Sequence, residues 1–358
     1  MCNLQFFLYN INNRPVLVRK FPSRFDIPSA QADNFELRTI MDELMFSALV
    51  ITYNQKGFIA ETLEGILSQK HSYRYEIIVG DDCSTDGTQD VLKEYQLRYP
   101  DIIKLSINEK NLGIVGNYYN TAAKAQGKYL LECAGDDYWL PGKVEKQISF
   151  MEENPDCGMC FTNVYDLIDG KLIAEGENRY TDFENFITKG GLVPGPTPCC
   201  RRKLFLDYIA DVKPQEKSWL MEDCPLWLWF TKNSTVKYIP EPLAVYRLLG
   251  DSACHSSDIA KQKRFINSLC DVHRFFAEKY NVPLEDLHDM FLGNYLGTQI
   301  DVAVSRPSLS NLNAVRILYK ELKRPTKKQK LFYALSFFPP AYLLIKLHRT
   351  IKNTRRTV

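Results

Sequence analysis

The chain has 358 residues, 45% of them hydrophobic, with 45 Lys and Arg against 43 Asp and Glu, a net charge of +2. At roughly 100–200 residues per domain that length allows one large domain with a substantial appendage, and the near-balanced charge excludes a nucleic-acid-binding signature. The ten cysteines follow no disulfide-like rhythm, which suits a reducing cytosol.

Residues 1–45 mix Asn, Pro and both charges without a period and lack a secretory signal pattern; they are expected to be a peripheral N-terminal extension. A regular alternation begins at Ser47. SALVIT (47–52) has strand character. GFIAETLEGILSQ (57–69) places Phe58, Ile59, Leu63, Ile66 and Leu67 on one helical face. YEIIVG (75–80), IIKLSI (102–107), KYLLEC (128–133) and CGMCFT (157–162) read as further strands. GTQDVLKEYQLRY, GNYYNTAAKAQ and PGKVEKQISFMEEN read as the helices between them, the last with Pro141 in its first turn. Strands alternating with helices predict an α/β fold with a mostly parallel sheet covered on both faces. Residues 163–256 are less regular and rich in Pro and aromatics, and 258–323 read as two or three helices.

Open sheets of this kind bind ligands beyond the carboxyl ends of their strands. The strand ends here are TYN (52–54), GDDCSTDG (80–87) and AGDD (134–137). Adjacent carboxylates repel unless a cation lies between them, and hard divalent ions are commonly held by one or two carboxylates plus substrate phosphates. Asp136 and Asp137 are therefore candidates for holding a metal and a diphosphate; the competing reading has one of them capping the helix near Pro141. Ser84 or Asp86 suits the cap of the helix near Gly87. That leaves Asp81 and Asp82, nearer the strand, free to accept hydrogen bonds from a base or a ribose.

In order and spacing, SALVITYNQKGFIAETLEGILSQ, YEIIVGDDCSTDGT and GKYLLECAGDDYWLPGKVEKQ resemble the nucleotide-binding half of family 2 glycosyltransferases of the GT-A fold. The resemblance is strong over 47–165 and looser over 166–256. It implies a Rossmann-like sheet flanked by helices, with Thr52, Tyr53 and Asn54 lining the nucleotide pocket, Asp82 bonding the base, Asp136 near the ribose and metal, and Asp137 on the ion. Ala134 stands where the family often has another aspartate, and Thr52 where it often has proline. SWLMEDCPLWLWF resembles the family's acidic acceptor-side element, which makes Asp223 the catalytic base; Glu222–Asp223 also suits a helix N-terminus through its dipole. In YRLLGDSACHS the family's histidine position is Leu249, with His255 as a substitute. Cys157 and Cys160 lack partners for a zinc site and read as packing, WLWF (227–230) reads as core, and Trp139 is a candidate to border a sugar.

LFYALSFFPPAYLLIKL (331–347) is apolar but interrupted by Pro339–Pro340 and shorter than the ~20 residues a spanning helix needs. With KRPTKKQK before it and HRTIKNTRR after it, the segment reads as lying on an anionic membrane surface, against the competing reading of a terminal helix pair packed on the core. The expected organisation is thus an extension at 1–45, a GT-A domain at 46–256, a helical region at 257–323 and a membrane-associating tail at 324–358. The resemblance implies an inverting, metal-dependent glycosyltransferase of hexosyltransferase type using Mg²⁺ or Mn²⁺. It would move a sugar from a nucleotide-diphosphate sugar to a glycan or lipid-linked hydroxyl in bacterial surface polysaccharide synthesis, at the inner face of the cell membrane. The competing functions are a non-catalytic nucleotide-sugar-binding protein and a nucleotidyltransferase, though TYNQKG makes a poor phosphate loop.

Overall fold

The structure, a computed structural model, describes residues 43–168, 170–174, 180–249, 258–306 and 308–345, with the backbone of two strands at 6–11 and 14–19. Those two strands, β1 (Phe6–Ile11) and β2 (Arg14–Arg19), pair antiparallel with Phe6 opposite Arg19. They belong to a unit at 1–43 separate from the remainder of the chain. A stretch that shows no period in the sequence thus contains a hairpin.

The second unit begins with β3 (Leu44–Thr52), followed by α1 (Ile59–Leu67), β4 (Arg74–Asp81), α2 (Thr88–Arg98), β5 (Ile103–Ile107), α3 (Gly113–Ala122), β6 (Tyr129–Ala134), β7 (Tyr138–Trp139), α4 (Lys143–Glu153) and β8 (Cys157–Ile168). The region that looks irregular in the sequence contributes β9 (Lys171–Ala174), α5 (Phe183–Lys189), β10 (Pro198–Arg201), α6 (Arg202–Val212), α7 (Asp223–Asn233) and the long β11 (Thr235–Arg247). Nine of the described strands form one sheet, ordered β5-β4-β3-β6-β10-β8-β11-β7 with β9 on β8. Strands β5, β4, β3 and β6 run parallel, and β10 enters antiparallel between β6 and β8. The expected mostly parallel sheet flanked by helices is observed. Two local expectations differ. β8 runs on to Ile168, because beyond Thr162 it pairs with β11 and β9. α4 starts at Lys143 after Gly142 at φ 88°, so Pro141 precedes the helix instead of opening it.

Side-chain alternation along the strands makes the sheet two-sided. Phe46, Ala48 and Val50 of β3, with Ile77 and Val79 of β4, pack against Ile59, Leu63, Leu92, Val144 and Ile148 of α1, α2 and α4. Leu49 and Ile78 face the other way, toward Tyr118, Phe205, Tyr208 and Trp227 of α3, α6 and α7. The expected face of α1 holds for Ile59, Leu63 and Ile66, which are fully buried. Phe58 lies before the helix and packs its ring 5.1 Å from the Arg247 guanidinium.

Beyond the sheet, α8 (Ile259–Tyr280) lays Val272 and Phe276 on the second core. Helices α9 (His288–Ser305), α10 (Leu309–Glu321) and α11 (Lys327–Leu335) enclose a core of their own around Leu296, Ile300, Leu312 and Val315. Residues 339–345 are helical, and no described helix is long and apolar enough to cross a membrane. The apolar tail divides into two sides. Tyr342 is fully buried in the third core and donates its hydroxyl to Phe332 O at 2.8 Å, whereas Leu331, Phe337, Phe338, Leu343 and Leu344 are each more than half exposed. Residues 346–358 lie outside the described residues. Tyr342→Ala should cost about 2–4 kcal/mol, read as an early unfolding step in a denaturant titration; an unchanged profile would mean that the tail does not pack there.

Candidate functional site

The loops after β3 and β4 are laced together. Thr52 is buried and donates its hydroxyl to Gln55 Oε1 at 2.8 Å. Asn54 takes a left-handed backbone, φ 52°, which Asn tolerates better than most residues. Its N–H donates to Ser84 Oγ and its Oδ1 accepts from Thr85 N, both at 2.8 Å. Asp86 accepts from Thr88 N (2.9 Å) and Lys56 N (3.0 Å), the capping role expected of it. Tyr53 is about half exposed and lies on the wall of a cavity of about 1760 Å³.

Asp81 turns into its own loop, where Oδ1 accepts from Ser84 N and Gln89 Nε2. Asp82 lines the cavity but also holds the entry to α3, accepting from Leu112 N (2.7 Å), Gly113 N (2.9 Å) and Asn108 Nδ2 (3.1 Å). A carboxylate has about four acceptor sites, so one remains for a ligand.

Asp136 and Asp137 line the same cavity. Neither caps α4, which begins at Lys143 and whose Val144 N–H donates instead to Gln69 Oε1 at 3.3 Å; the capping reading is overturned. Asp137 is 1% exposed; its Oδ1 accepts from Arg247 N at 2.8 Å, and its Oδ2 is buried with no partner. Burial first, and the neighbouring Asp136 charge second, push its carboxyl well above the usual range. Burial also raises Asp136, against a hydrogen bond from Gln55. Thr62 Oγ1 donates to the carbonyls of Gly135 (3.0 Å) and Asp137 (2.6 Å), fixing the turn from α1. Gly135 is required there: a Cβ would lie 2.7 Å from Thr52 Oγ1.

An orphaned carboxylate oxygen beside a second carboxylate fits a hard divalent cation. The described residues contain no cluster of three or more ligating side chains, but such ions commonly take one or two carboxylates and complete their shell with phosphate and water. Arg247 adds a cation at this wall. It is 9% exposed, pairs through one terminal nitrogen with Glu61, lies between the rings of Phe58 and Tyr138, and leaves Nε without a partner.

The acidic pair of SWLMEDCPLWLWF lines the cavity as well. Asp223 opens α7 and accepts its Cys224 N–H at 2.6 Å, so part of its role is at the helix terminus, while Glu222 caps nothing. Burial raises both carboxyls, and the Asp223 charge adds to the rise at Glu222. Beneath them Glu132 of β6 accepts the Tyr118 hydroxyl at 2.5 Å and is pushed up to about 7, mainly by burial with Asp223 adding to it. α8 reaches the same place: His273 Nε2 lies 3.7 Å from Cys224 Sγ and its Nδ1 3.0 Å from Ile187 O. Burial holds that imidazole neutral, at about 4.

The structure thus brings Thr52, Tyr53, Asn54, Asp82, Asp136, Asp137, Glu222 and Asp223 to one cavity. Leu249 lines it too, and His255 lies outside the described residues. Trp139 is corrected: it is 2% exposed, donates Nε1 to Glu132 O at 3.1 Å and packs in the α1 and α4 core rather than bordering a ligand. Trp227, expected only as core, is buried but also walls the cavity, four residues after Asp223 on the same helical face. Cys157 and Cys160 are buried, as expected. Sequence reasoning missed Glu132, which lies within the third motif and interacts with Asp223 through its charge, and it missed the loop Gly190–Gly195 and the Lys323–Arg324 segment, which line the cavity from outside the motifs. Arg247 was visible only as half of a Tyr-Arg pair.

A model described as glycosyl transferase family 2 matches residues 47–204. The putative teichuronic acid biosynthesis glycosyltransferase TuaG of Bacillus subtilis is 36% identical over 214 residues, 58% of this chain and 81% of that one. The uncharacterized protein Rv1520 of Mycobacterium tuberculosis is 29% identical over 223 residues, 61% of this chain, and the match spans 62% of that relative's length. Among solved structures, S. aureus TarS 1–349 in complex with UDP-GlcNAc superposes with a TM-score of 0.53 at 17% identity, covering 88% of this chain and 92% of that one. The fold is of the GT-A type, a Rossmann-like sheet flanked by helices with a helical C-terminal region. The chain belongs to glycosyltransferase family 2.

The raised carboxyls carry a consequence for stability. The folded state keeps protons that the unfolded chain releases near pH 4, so stability falls as pH rises toward the folded values. Well above pH ~6.5 an unfolded histidine is largely neutral, as His273 is in the fold, and Glu132, at about 7, contributes to the change together with the raised carboxyls of Asp137 and Glu222. Metal-free protein should melt at a lower temperature at pH 8 than at pH 6.5, and Glu132→Gln should flatten that slope. Equal slopes in scanning calorimetry would show that Glu132 titrates normally.

Proposed function

We propose that the protein is an inverting glycosyltransferase that moves a sugar from a nucleotide-diphosphate donor to a glycan or lipid-linked hydroxyl, in the synthesis of a bacterial surface polysaccharide. The observation that carries this reading is the single cavity lined both by the strand-end residues Asp82, Asp136 and Asp137 and by Glu222 and Asp223. Its volume exceeds the ~300–1,000 Å³ typical of a one-ligand pocket, leaving room for donor and acceptor together. The UDP-GlcNAc and UDP bound by TarS support a nucleotide-sugar donor, and TuaG's assignment to teichuronic acid biosynthesis supports an anionic surface glycan as the setting. Membrane attachment through residues 324–345 belongs to the same reading.

Thr52, Tyr53, Asn54 and Asp82 take the nucleotide at the ends of β3 and β4. Asp136 and the free Oδ2 of Asp137 would hold Mg²⁺ or Mn²⁺, which would supply positive charge toward the leaving diphosphate. The exposed part of Arg247 faces the same diphosphate. Asp223 accepts the proton of the acceptor hydroxyl as that oxygen bonds to the anomeric carbon on the face opposite the diphosphate. The carbon–oxygen bond to the diphosphate breaks, its electron pair leaves with the diphosphate, and the configuration inverts. A carboxyl raised by burial is a stronger base once ionised, and so suits general-base work nearer neutral pH.

Two outcomes are expected. Asp223→Asn should cut transfer about 10²–10⁴-fold with donor affinity nearly unchanged, while Glu222→Gln keeps most activity; an active Asp223→Asn would place the base elsewhere. Asp137→Ala should keep its fold and lose the metal stimulation of nucleotide binding in calorimetric titration, whereas unchanged metal dependence would remove the pair from the ion.

A further inference from the structure

The far end of the cavity is built by the C-terminal helices. Lys323, Arg324, Thr326 and Gln329 line it, and Asp289 of α9 fixes their loop by accepting the backbone N–H of Lys323 (2.9 Å) and Arg324 (2.8 Å). Thr326 caps α11 in a reciprocal box with Gln329. The same helix therefore starts at the cavity wall and leads away from it to the exposed apolar turn at Phe337–Phe338.

That turn is rigidly mounted. Ser336 is fully buried, donates to Tyr333 O at 2.6 Å and takes two bonds from the Arg316 guanidinium, which also covers the Phe337 ring at 4.3 Å. Tyr333 lies edge-on to Phe337 at 5.2 Å and stacks on Tyr319 at 4.0 Å. On the other side Tyr342 anchors the following helix in the core. Between two anchors, Phe338 (60% exposed), Leu343 (55%) and Leu344 (64%) are held out into solvent, with Leu331 (56%) on α11. Their neighbourhood in sequence is mainly cationic, with Asp289 against the Lys323–Arg324 backbone and Glu285 and Asp286 also lining the cavity. Residues 320–330 carry Lys320, Lys323, Arg324, Lys327, Lys328 and Lys330 against the single acid Glu321. Gln329 and Phe337 are eight residues apart, about 12 Å at ~1.5 Å per helical residue, and an interfacial layer of a bilayer is roughly 5–8 Å deep.

Resting on the glycosyltransferase reading, we propose that this turn is a membrane-docking tip that seats the acceptor end of the cavity on an anionic bilayer, so that the acceptor arrives as a phosphate-linked lipid whose phosphate is met by Lys323 and Arg324. Apolar side chains enter the interface while the lysines meet anionic headgroups. With the tip in the interface, the distance of about 12 Å to Gln329 puts the cavity mouth just above the headgroup layer, so the side chains of Lys323 and Arg324 face the phosphate of such an acceptor and the lipid tail need not enter the protein.

The test is flotation of the full chain with phosphatidylglycerol-containing vesicles and with pure phosphatidylcholine vesicles. Wild type should float at least tenfold more with the anionic vesicles and be released at high salt. Phe338→Ser/Leu344→Ser should lose at least tenfold of that binding with an unchanged melting temperature, because both side chains are already exposed, and Lys327→Glu/Lys328→Glu should abolish the preference for anionic lipid. Nucleotide-sugar hydrolysis in solution, measured in parallel, should be equal in wild type and the serine variant. Hydrolysis without vesicle binding, or self-association through this face in sedimentation, would overturn the docking proposal alone. Vesicle binding with no hydrolysis of any nucleotide sugar would leave the tip standing and remove the functional reading. For the phosphate contact, Lys323→Ala/Arg324→Ala should raise the KM for a polyprenyl-phosphate-linked acceptor at least tenfold, with a smaller change in the KM for the nucleotide sugar; an unchanged acceptor KM would overturn that part.

Discussion

The buried carboxylate of Asp137 is the constraint around which the site is organised. One oxygen is fixed by the backbone of Arg247 at the end of β11, and the other is desolvated and unmatched. An ionised carboxylate in that position is unfavourable without a counter-charge, and Asp136 beside it raises the penalty. Several elements exist to hold this unfavourable arrangement still: Thr62 of α1 under the turn, Gly135 with no room for a side chain, and Arg247 gripped by Glu61 and two aromatic rings. A site that is unstable by itself and strongly braced by its neighbours is what a binding partner of opposite charge can exploit.

The second carboxylate group, Glu222–Asp223 with Glu132 below, repeats the theme from the other side of the sheet's carboxyl edge. Its position depends on elements far along the chain. α8 supplies His273 against Cys224, next to Asp223, and α9 with the 323–326 loop completes the cavity. The C-terminal helices are thus part of the site's walls as well as a region with its own core.

Much of this was legible in the sequence. The short apolar runs and the face of α1 follow from burial on both sides of a parallel sheet, so SALVIT, YEIIVG and KYLLEC could be read directly. The strand-end rule then pointed to Thr52–Asn54, Asp82 and Asp136–Asp137 without any structure. The resemblance supplied Asp223. What was hidden depends on long-range pairing. β11 has mixed polarity because it bulges and lies beside β8, so its role in presenting Arg247 to Asp137, 110 residues away, leaves no local pattern. Trp139 misled because its neighbours in sequence are functional, while strand alternation turns its ring into the core. The tail gave an ambiguous signal because it has two sides, with Tyr342 inward and Phe338 outward.

The account rests on a divalent ion and a diphosphate meeting at Asp137. The most direct measurement is an anomalous difference map from a crystal grown with Mn²⁺ and a nucleoside diphosphate. The account predicts one Mn²⁺ peak within ligand distance of Asp137 Oδ2 and of the diphosphate oxygens, with the base toward Thr52–Asn54 and Asp82. A diphosphate bound in the cavity with Mn²⁺ elsewhere, or with Asp137 still unliganded, would contradict it.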